Sequence, residues 1–370
     1  MLKIFSEIYK KVKNCDIYVA YMGKYTDLIG PPSSMRELHN ILSKKNNVMA
    51  TRNLYFNSKK KNRDLIVKNE IGVPFKKNGL IYNILREIKI FFLLILFNFN
   101  INLMLFLNKD VKIIITQPFF IPFLSMNYNV FYVRRANTNV NEISSREYVT
   151  RYFESLFLKK TKFKIVYLVK QEFCSYHYYV IPNSFNVKNH IITKGDNVEP
   201  NIHVTGTFSS RKGADRVIAI SHCAQGKKIN VYGGLGSEHE LNNKLLNEIN
   251  IIYHGITKFP YKNYICGDIF LSFSRVEGLQ RSLVEALLQG CIIIACSRPD
   301  SNSIKDYPGV FVFDWSDENI DAFISSIDKV FSMNSELRYN LGLKNRERAI
   351  VDFDEGYILS RWQELLYTKE

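Results

Sequence analysis

Short runs of β-branched and aliphatic residues recur along the chain, each closed by a small or polar residue and followed by a stretch of helical periodicity. In the first half, DIYVAYM (16–22), KIIITQ (112–117), VFYVRR (130–135) and FKIVYLV (163–169) predict strands. A GPPSS turn leads into a predicted helix, MRELHNILSKK, and a second helix is expected over residues 144–158. The second half repeats the rhythm with IHVTG (202–206), INVYG (229–233), NIIYHG (250–255), DIFLSFS (268–274) and CIIIAC (291–296). Its helices are expected at GADRVIAISHCAQG, near 237–248 and over 282–289. Strands that are apolar on both faces and alternate with helices predict mainly parallel sheets covered on both sides. Pro182-Asn183-Ser184 is turn chemistry suited to a linker. The expected fold class is therefore α/β, with two doubly wound Rossmann-like domains. Ligands of such sheets bind outside the carboxyl ends of the strands, so the two sheets should face an interdomain cleft.

Two segments stand apart from this rhythm. The run IFFLLILFNFNINLMLFL (90–107) approaches the length of a membrane span, but Asn98, Asn100 and Asn102 interrupt it and a buried strand follows. It reads as a long soluble or membrane-apposed helix. Residues 1–14 place Leu2, Phe5, Ile8, Tyr9 and Val12 on one helical face with lysines largely elsewhere. That is the make-up of a helix lying on a membrane, and an ordinary surface helix accounts for the same pattern.

Composition narrows the class. The chain has 370 residues, of which 46% are hydrophobic, enough for two cores and too many for general disorder. Six scattered cysteines without a close-spaced pair point to reduced thiols and a cytoplasmic setting. The seven histidines never fall at ligand spacing, so no metal site is expected. The net charge of +15 is divided unequally. Residues 1–190 hold 30 Lys+Arg against 12 Asp+Glu, leaving a slightly acidic second half. One half should thus face an anionic partner, a nucleic acid or an anionic membrane surface. No nucleic-acid-binding motif is present and the aromatics follow core periodicity, which disfavours nucleic acid.

The densest chemistry lies in EGLQRSLVEALLQG, residues 277–290. Ser282 and Glu285 fit a capping box, which accounts for Glu285 without any ligand. It leaves Glu277 and Gly278 unexplained. Glycine permits close approach of the backbone, helix N-terminal N–H groups suit phosphate, and an upstream carboxylate suits sugar hydroxyls. In TGTFSSRKGADR (205–216), Arg211 and Lys212 precede a helix and are placed to neutralise a diphosphate, although a solvated Lys-Gly loop is common. GGLG (233–236) lacks a dinucleotide fingerprint, and Asp352-Phe353-Asp354 reads as surface rather than as a metal-binding pair.

The two-glutamate segment resembles the EGxxxxxxEAxxxG motif of retaining GT-B glycosyltransferases of the large group called family 4. VIPNSFNV resembles the interdomain segment of that group, and FDEGYILSRWQELLY its C-terminal helix that crosses back to the N-terminal domain. The likeness covers residues 180–370 in motifs and the first half only in architecture. It implies an N-terminal acceptor domain (1–184), a donor domain (185–352) and a returning helix (353–370). It further implies that Glu285 holds the ribose hydroxyls of a UDP- or GDP-linked sugar and that Glu277 contacts the donor sugar. The backbone of Gly278, Leu279, Gln280, Arg281 and Ser282 would approach the diphosphate beside Gly206 and Thr207, and Lys212 would meet the leaving group. Thr207 departs from the family, which often has arginine there, and Arg211 is the candidate replacement. No metal or other cofactor is implied.

The expected reaction is metal-independent transfer of a sugar, with retention, to a glycan or lipid-diphosphate-linked acceptor in cell-surface polysaccharide synthesis (lipopolysaccharide O-antigen or capsule). The expected location is the cytoplasmic face of the membrane. Gly30, Ser33, Ser34, Arg134 and Arg135 are the acceptor-side candidates by position, with plain solvation the alternative for the arginine pair. A catalytically silent subunit of the same fold, a nucleic-acid binder and a sugar-nucleotide epimerase are the competing classes.

Overall fold

The computed structural model describes residues 10, 13–20, 31–50, 105–116, 129–134, 163–171, 174, 176–195, 199–224 and 226–368. Most of the 1–14 helix, the lysine-rich stretch 59–63 (KKKNR), which reads as a solvated loop, the 90–107 run up to residue 104, the 144–158 helix, Gly30 and Arg135 lie outside them. Among the described residues no helix is long and apolar enough to cross a membrane.

Among the described residues the apolar runs form two six-stranded sheets in which every pairing is parallel. The first contains β1 (Ile17–Ala20), β2 (Val48–Ala50), β3 (Lys112–Ile115), β4 (Val130–Arg134), β5 (Lys164–Tyr167) and β6 (Tyr179–Val180), ordered β2-β1-β3-β4-β5-β6. The second contains β7 (Ile202–Thr205), β8 (Ile229–Tyr232), β9 (Ile251–Gly255), β10 (Ile269–Ser272), β11 (Ile292–Cys296) and β12 (Val310–Phe313), ordered β12-β11-β10-β7-β8-β9. The central strands β10 and β11 are buried at every residue, as a sheet covered on both faces requires. In the second sheet the winding reverses between β7 and β10, which makes that gap its switch point.

The described helices are α1 (Pro31–Leu42), α2 (Ala214–Cys223), α3 (His239–Asn247), α4 (Arg281–Leu288), α5 (Pro299–Asn302), α6 (Ile320–Ser332), α7 (Ser335–Phe353) and α8 (Glu355–Tyr367). Residues 31–34 of the GPPSS stretch are helical rather than a turn: Pro31 begins α1, because proline fits the first helical turn, where its missing N–H costs nothing. Ser33 and Ser34 therefore sit in that turn.

Three apolar layers result. One packs the outer face of the first sheet and includes Tyr18, Ile113, Tyr132 and Tyr167. Another packs α2 and α6 on the second sheet through Val217, Leu271, Ile294 and Phe323. The third runs through both halves, joining Ile17, Leu38 and Val133 to Phe185, Leu283, Leu287, Phe353 and Trp362. Helix α8 is fastened to the first half by Lys44 to Glu355 at 2.5 Å, by the Tyr367 hydroxyl donating to Asn46 at 2.7 Å and by Arg361 donating to the Val180 carbonyl at 3.0 Å. The Asp352-Phe353-Asp354 segment is a joint rather than plain surface. Asp352 accepts from the Tyr307 hydroxyl at 2.5 Å, buried Phe353 accepts the Phe185 N–H at 2.9 Å, and Asp354 caps α8 at the Gly356 N–H.

Candidate active site

The site is built where β7 and β10 lie side by side. The chain leaving β7 passes Gly206, makes a short turn at Ser210–Lys212 and enters α2 through Gly213, whose φ is 76°. A Cβ on Gly213 would stand 2.1 Å from the Phe273 carbonyl oxygen, so only glycine lets the loop after β10 pack this closely. Segment 206–208 is bonded to the GGLG turn: Gly206 donates to Tyr232 at 3.0 Å, Phe208 to Gly234 at 2.8 Å and Gly236 to Phe208 at 2.7 Å. A Cβ on Gly233 would collide with the Gly206 carbonyl at 1.8 Å. Gly233 and Gly236 of GGLG thus serve backbone-on-backbone packing.

The loop after β10 is docked on this turn. The Arg275 N–H donates to the Arg211 carbonyl at 3.0 Å, and its guanidinium forms two bonds to Asp215 at 2.7 and 2.6 Å as well as one to the Ser210 carbonyl. Docking places Lys212 Nζ 2.5 Å from Glu277 Oε1, 65 residues apart in sequence. Arg211 and Thr207 are exposed on the same loop, and no side-chain partner of Arg211 occurs among the described residues.

Behind the loop lies a buried network that the sequence reading missed. Arg298 donates to Asp300 at 3.0 Å, to the Ser274 carbonyl at 2.6 Å, to the Ser272 hydroxyl at 2.8 Å and to the Gln280 side chain at 3.1 Å. Asp300 in turn accepts the Gln280 N–H at 3.2 Å. A charge-rich SRPD directly after an apolar strand was the available signal. The Arg275–Asp215 pairing had none, since nothing in the sequence marks those two positions as neighbours.

The capping box is not formed. Helix α4 starts at Arg281, with Gln280 in the cap position and no side chain capping the first turn. The Gln280 side chain is drawn to Ser272 at 2.5 Å and Arg298, and Ser282 donates to the Thr205 carbonyl at 3.2 Å. The first-turn N–H groups of Arg281, Ser282 and Leu283 keep no partner among the described residues. They form an electropositive end suited to an anion. Of the backbone expected near a diphosphate, Gln280 N–H is already committed to Asp300, and the Leu279 side chain is buried in the core.

Glu285 lies one turn further in. Burial pushes its carboxyl up to about 7, opposed by Arg281 and reinforced by Glu37. Arg281 pairs with Glu285 at 3.6 Å, makes a closer ion pair with Glu37 of α1 and stacks over the Phe185 ring at 4.8 Å. Glu37 is a site neighbour that sequence gave no means to find, being 244 residues from Arg281.

Of the acceptor-side candidates, Arg134 ends β4 and donates to the hydroxyls of Tyr167 at 2.6 Å and Tyr176 at 3.0 Å, so its guanidinium is engaged in a tyrosine cluster.

No family model matches this sequence and no curated protein matches it. Solved structures do. A variant of S. aureus TarM, in complex with fondaparinux, α-GlcNAc-glycerol and UDP, superposes with a TM-score of 0.58 at 18% identity over 70% of this chain and 56% of the other. This chain thus spans little more than half the length of that protein. Sucrose-phosphate synthase from Thermosynechococcus elongatus gives a TM-score of 0.69 at 14% identity over 94% of this chain and 97% of that one. WaaG, a glycosyltransferase involved in lipopolysaccharide biosynthesis, gives 0.61 at 14% identity, covering 95% and 100%. The two parallel sheets with their surrounding helices are the GT-B fold.

Proposed function

We propose that the chain is a glycosyltransferase that moves a sugar from a nucleoside diphosphate to a glycan or lipid-diphosphate-linked acceptor. The observation that carries this reading is the Lys212–Glu277 pair at the β7/β10 switch point, beside the uncapped start of α4 with Glu285 inside it. A diphosphate there meets Lys212, Arg211 and the first-turn N–H groups, so charge developing on the leaving group is stabilised by fixed donors. Glu285 accepts the ribose hydroxyls and Glu277 those of the donor sugar. In this reading the cations and helix end take the part a metal would play, and transfer retains configuration, as the resemblance to the family implies. UDP or GDP is the donor nucleotide; a UDP complex among similar folds supports the former. Similarity to WaaG supports a role in cell-surface polysaccharide, and the basic first half is what points to the inner face of the membrane.

A panel of UDP- and GDP-sugars, scored for hydrolysis and for thermal stabilisation, tests the reading. One donor should raise the melting temperature and be hydrolysed. Lys212→Ala should then lower turnover by about a hundredfold or more with little change in KM, the scale of a lost transition-state donor. Arg211→Ala should also be harmful, since Thr207 supplies no charge. The exposed Thr207 favours one alternative, a silent GT-B subunit, which would show stabilisation without turnover. Stabilisation by none of the donors would sink both readings.

A further inference from the structure

We propose that Arg281 is a positioning residue whose guanidinium is divided between Glu37 of the first half and Glu285 of the donor site, so that the contact between halves sets how firmly a nucleotide is held. The inference rests on the reading of Glu285 as the ribose-binding carboxylate.

The geometry is specific. Arg281 is in the first turn of α4, with Glu285 one turn further on, and the two are 3.6 Å apart. The shorter pairing is to Glu37, on α1 beyond the linker. The arginine lies over the Phe185 ring at 4.8 Å. Phe185 is itself a linker residue, buried and held by the Phe353 carbonyl at 2.9 Å. One cation therefore touches the first half, the linker and the donor site. A guanidinium oriented toward one carboxylate gives less to another, because its fork of donors has a fixed geometry.

Among the described residues few other charges compete for Glu285. Tyr261 and Tyr264, from and just after the Pro260–Asn263 turn, face it and are held neutral by burial. His190, just past the linker, faces Arg281 and is pushed down to about 4 by burial and by Arg346 and Arg281, so it is uncharged above that. Arg346 of α7 is turned to the Leu288 carbonyl. Among the described residues Glu37 and Arg281 are the charged groups that act on Glu285, whose carboxyl burial holds near 7. Two ribose hydroxyls need two accepting oxygens, which only the ionised carboxylate offers in full.

The experiment has two arms on the full chain. The first follows the Glu285 carboxyl directly by carbon NMR titration, assigned with Glu285→Gln. Glu37→Gln should lower the midpoint by about one pH unit, because Arg281 then turns wholly to Glu285, and Arg281→Met should raise it by a similar amount. Arg281→Lys should restore part of the shift. The second arm measures UDP affinity from pH 5.5 to 8.5. Binding should tighten up to about tenfold across the midpoint, and that midpoint should follow the carboxyl in each variant. An unchanged Glu285 titration in Glu37→Gln overturns the inference. A shifted titration with UDP affinity that ignores it overturns the link between halves and nucleotide. Shifted titrations with no UDP or GDP binding at any pH overturn the nucleotide-site reading, while the sharing of Arg281 stands.

Discussion

At the scale of single residues, burial of Glu285 has a consequence that needs no ligand. Its carboxyl is pushed from an ordinary 4.5 up to about 7, so between these values the folded chain holds a proton that the unfolded chain has lost. Stability must then fall as pH rises through that window and level off above it. Glu285→Gln cannot ionise and escapes the loss. Melting curves of both proteins from pH 4.5 to 8.5 should therefore show the variant gaining on the wild type up to about pH 7. A constant difference would mean that Glu285 is an ordinary exposed carboxylate. The same substitution should weaken nucleotide binding, since an amide oxygen replaces a charged acceptor.

At the scale of elements, the loop after β10 is shaped from behind. Arg298 and Asp300 are almost fully buried, and their bonds reach Ser272, Ser274 and Gln280, on both sides of Glu277. Removing one member leaves an uncompensated charge in the interior. Arg298→Met should cost about 3–5 kcal/mol in denaturant unfolding, and Arg298→Met with Asp300→Leu should recover much of it. A loss below about 1 kcal/mol would mean that water reaches the site and the loop is held otherwise. The network also explains why α4 starts one residue before Ser282. Gln280 spends its side chain on the hub, which leaves the helix end open.

At the scale of the whole molecule, one apolar layer runs through both halves, while their charges differ sharply. The first 190 residues carry 30 cationic against 12 anionic side chains. If the acceptor is carried on a lipid diphosphate, this half should meet an anionic bilayer, where each lysine or arginine contributes about 1 kcal/mol. The protein should then bind vesicles rich in anionic lipid, bind neutral vesicles weakly and be released by high salt. Deleting residues 1–14 should reduce docking but not hydrolysis of the donor in solution. Indifference to anionic vesicles at low salt would favour a soluble acceptor.

What the sequence determined by itself is what local pattern determines. Apolar runs such as CIIIAC and DIFLSFS are strands because burial on both faces demands them. Their alternation with helices dictated parallel sheets, and the loop positions of Lys212 and Glu277 could be read because Gly213 and Gly278 adjoin them, whereas Glu285 lies inside α4. Short edge strands such as β2 and β6 were not legible, since two or three residues carry too little periodicity. Local spacing also misplaced the start of α4, because Gln280 answers to Arg298 and Ser272 rather than to its own helix. Only the tertiary structure brought Lys212 to Glu277, Arg275 to Asp215 and Arg281 to Glu37. Such pairings are set by which loops the strand order makes neighbours, and a distance of 60 or more residues along the chain leaves no trace in sequence spacing.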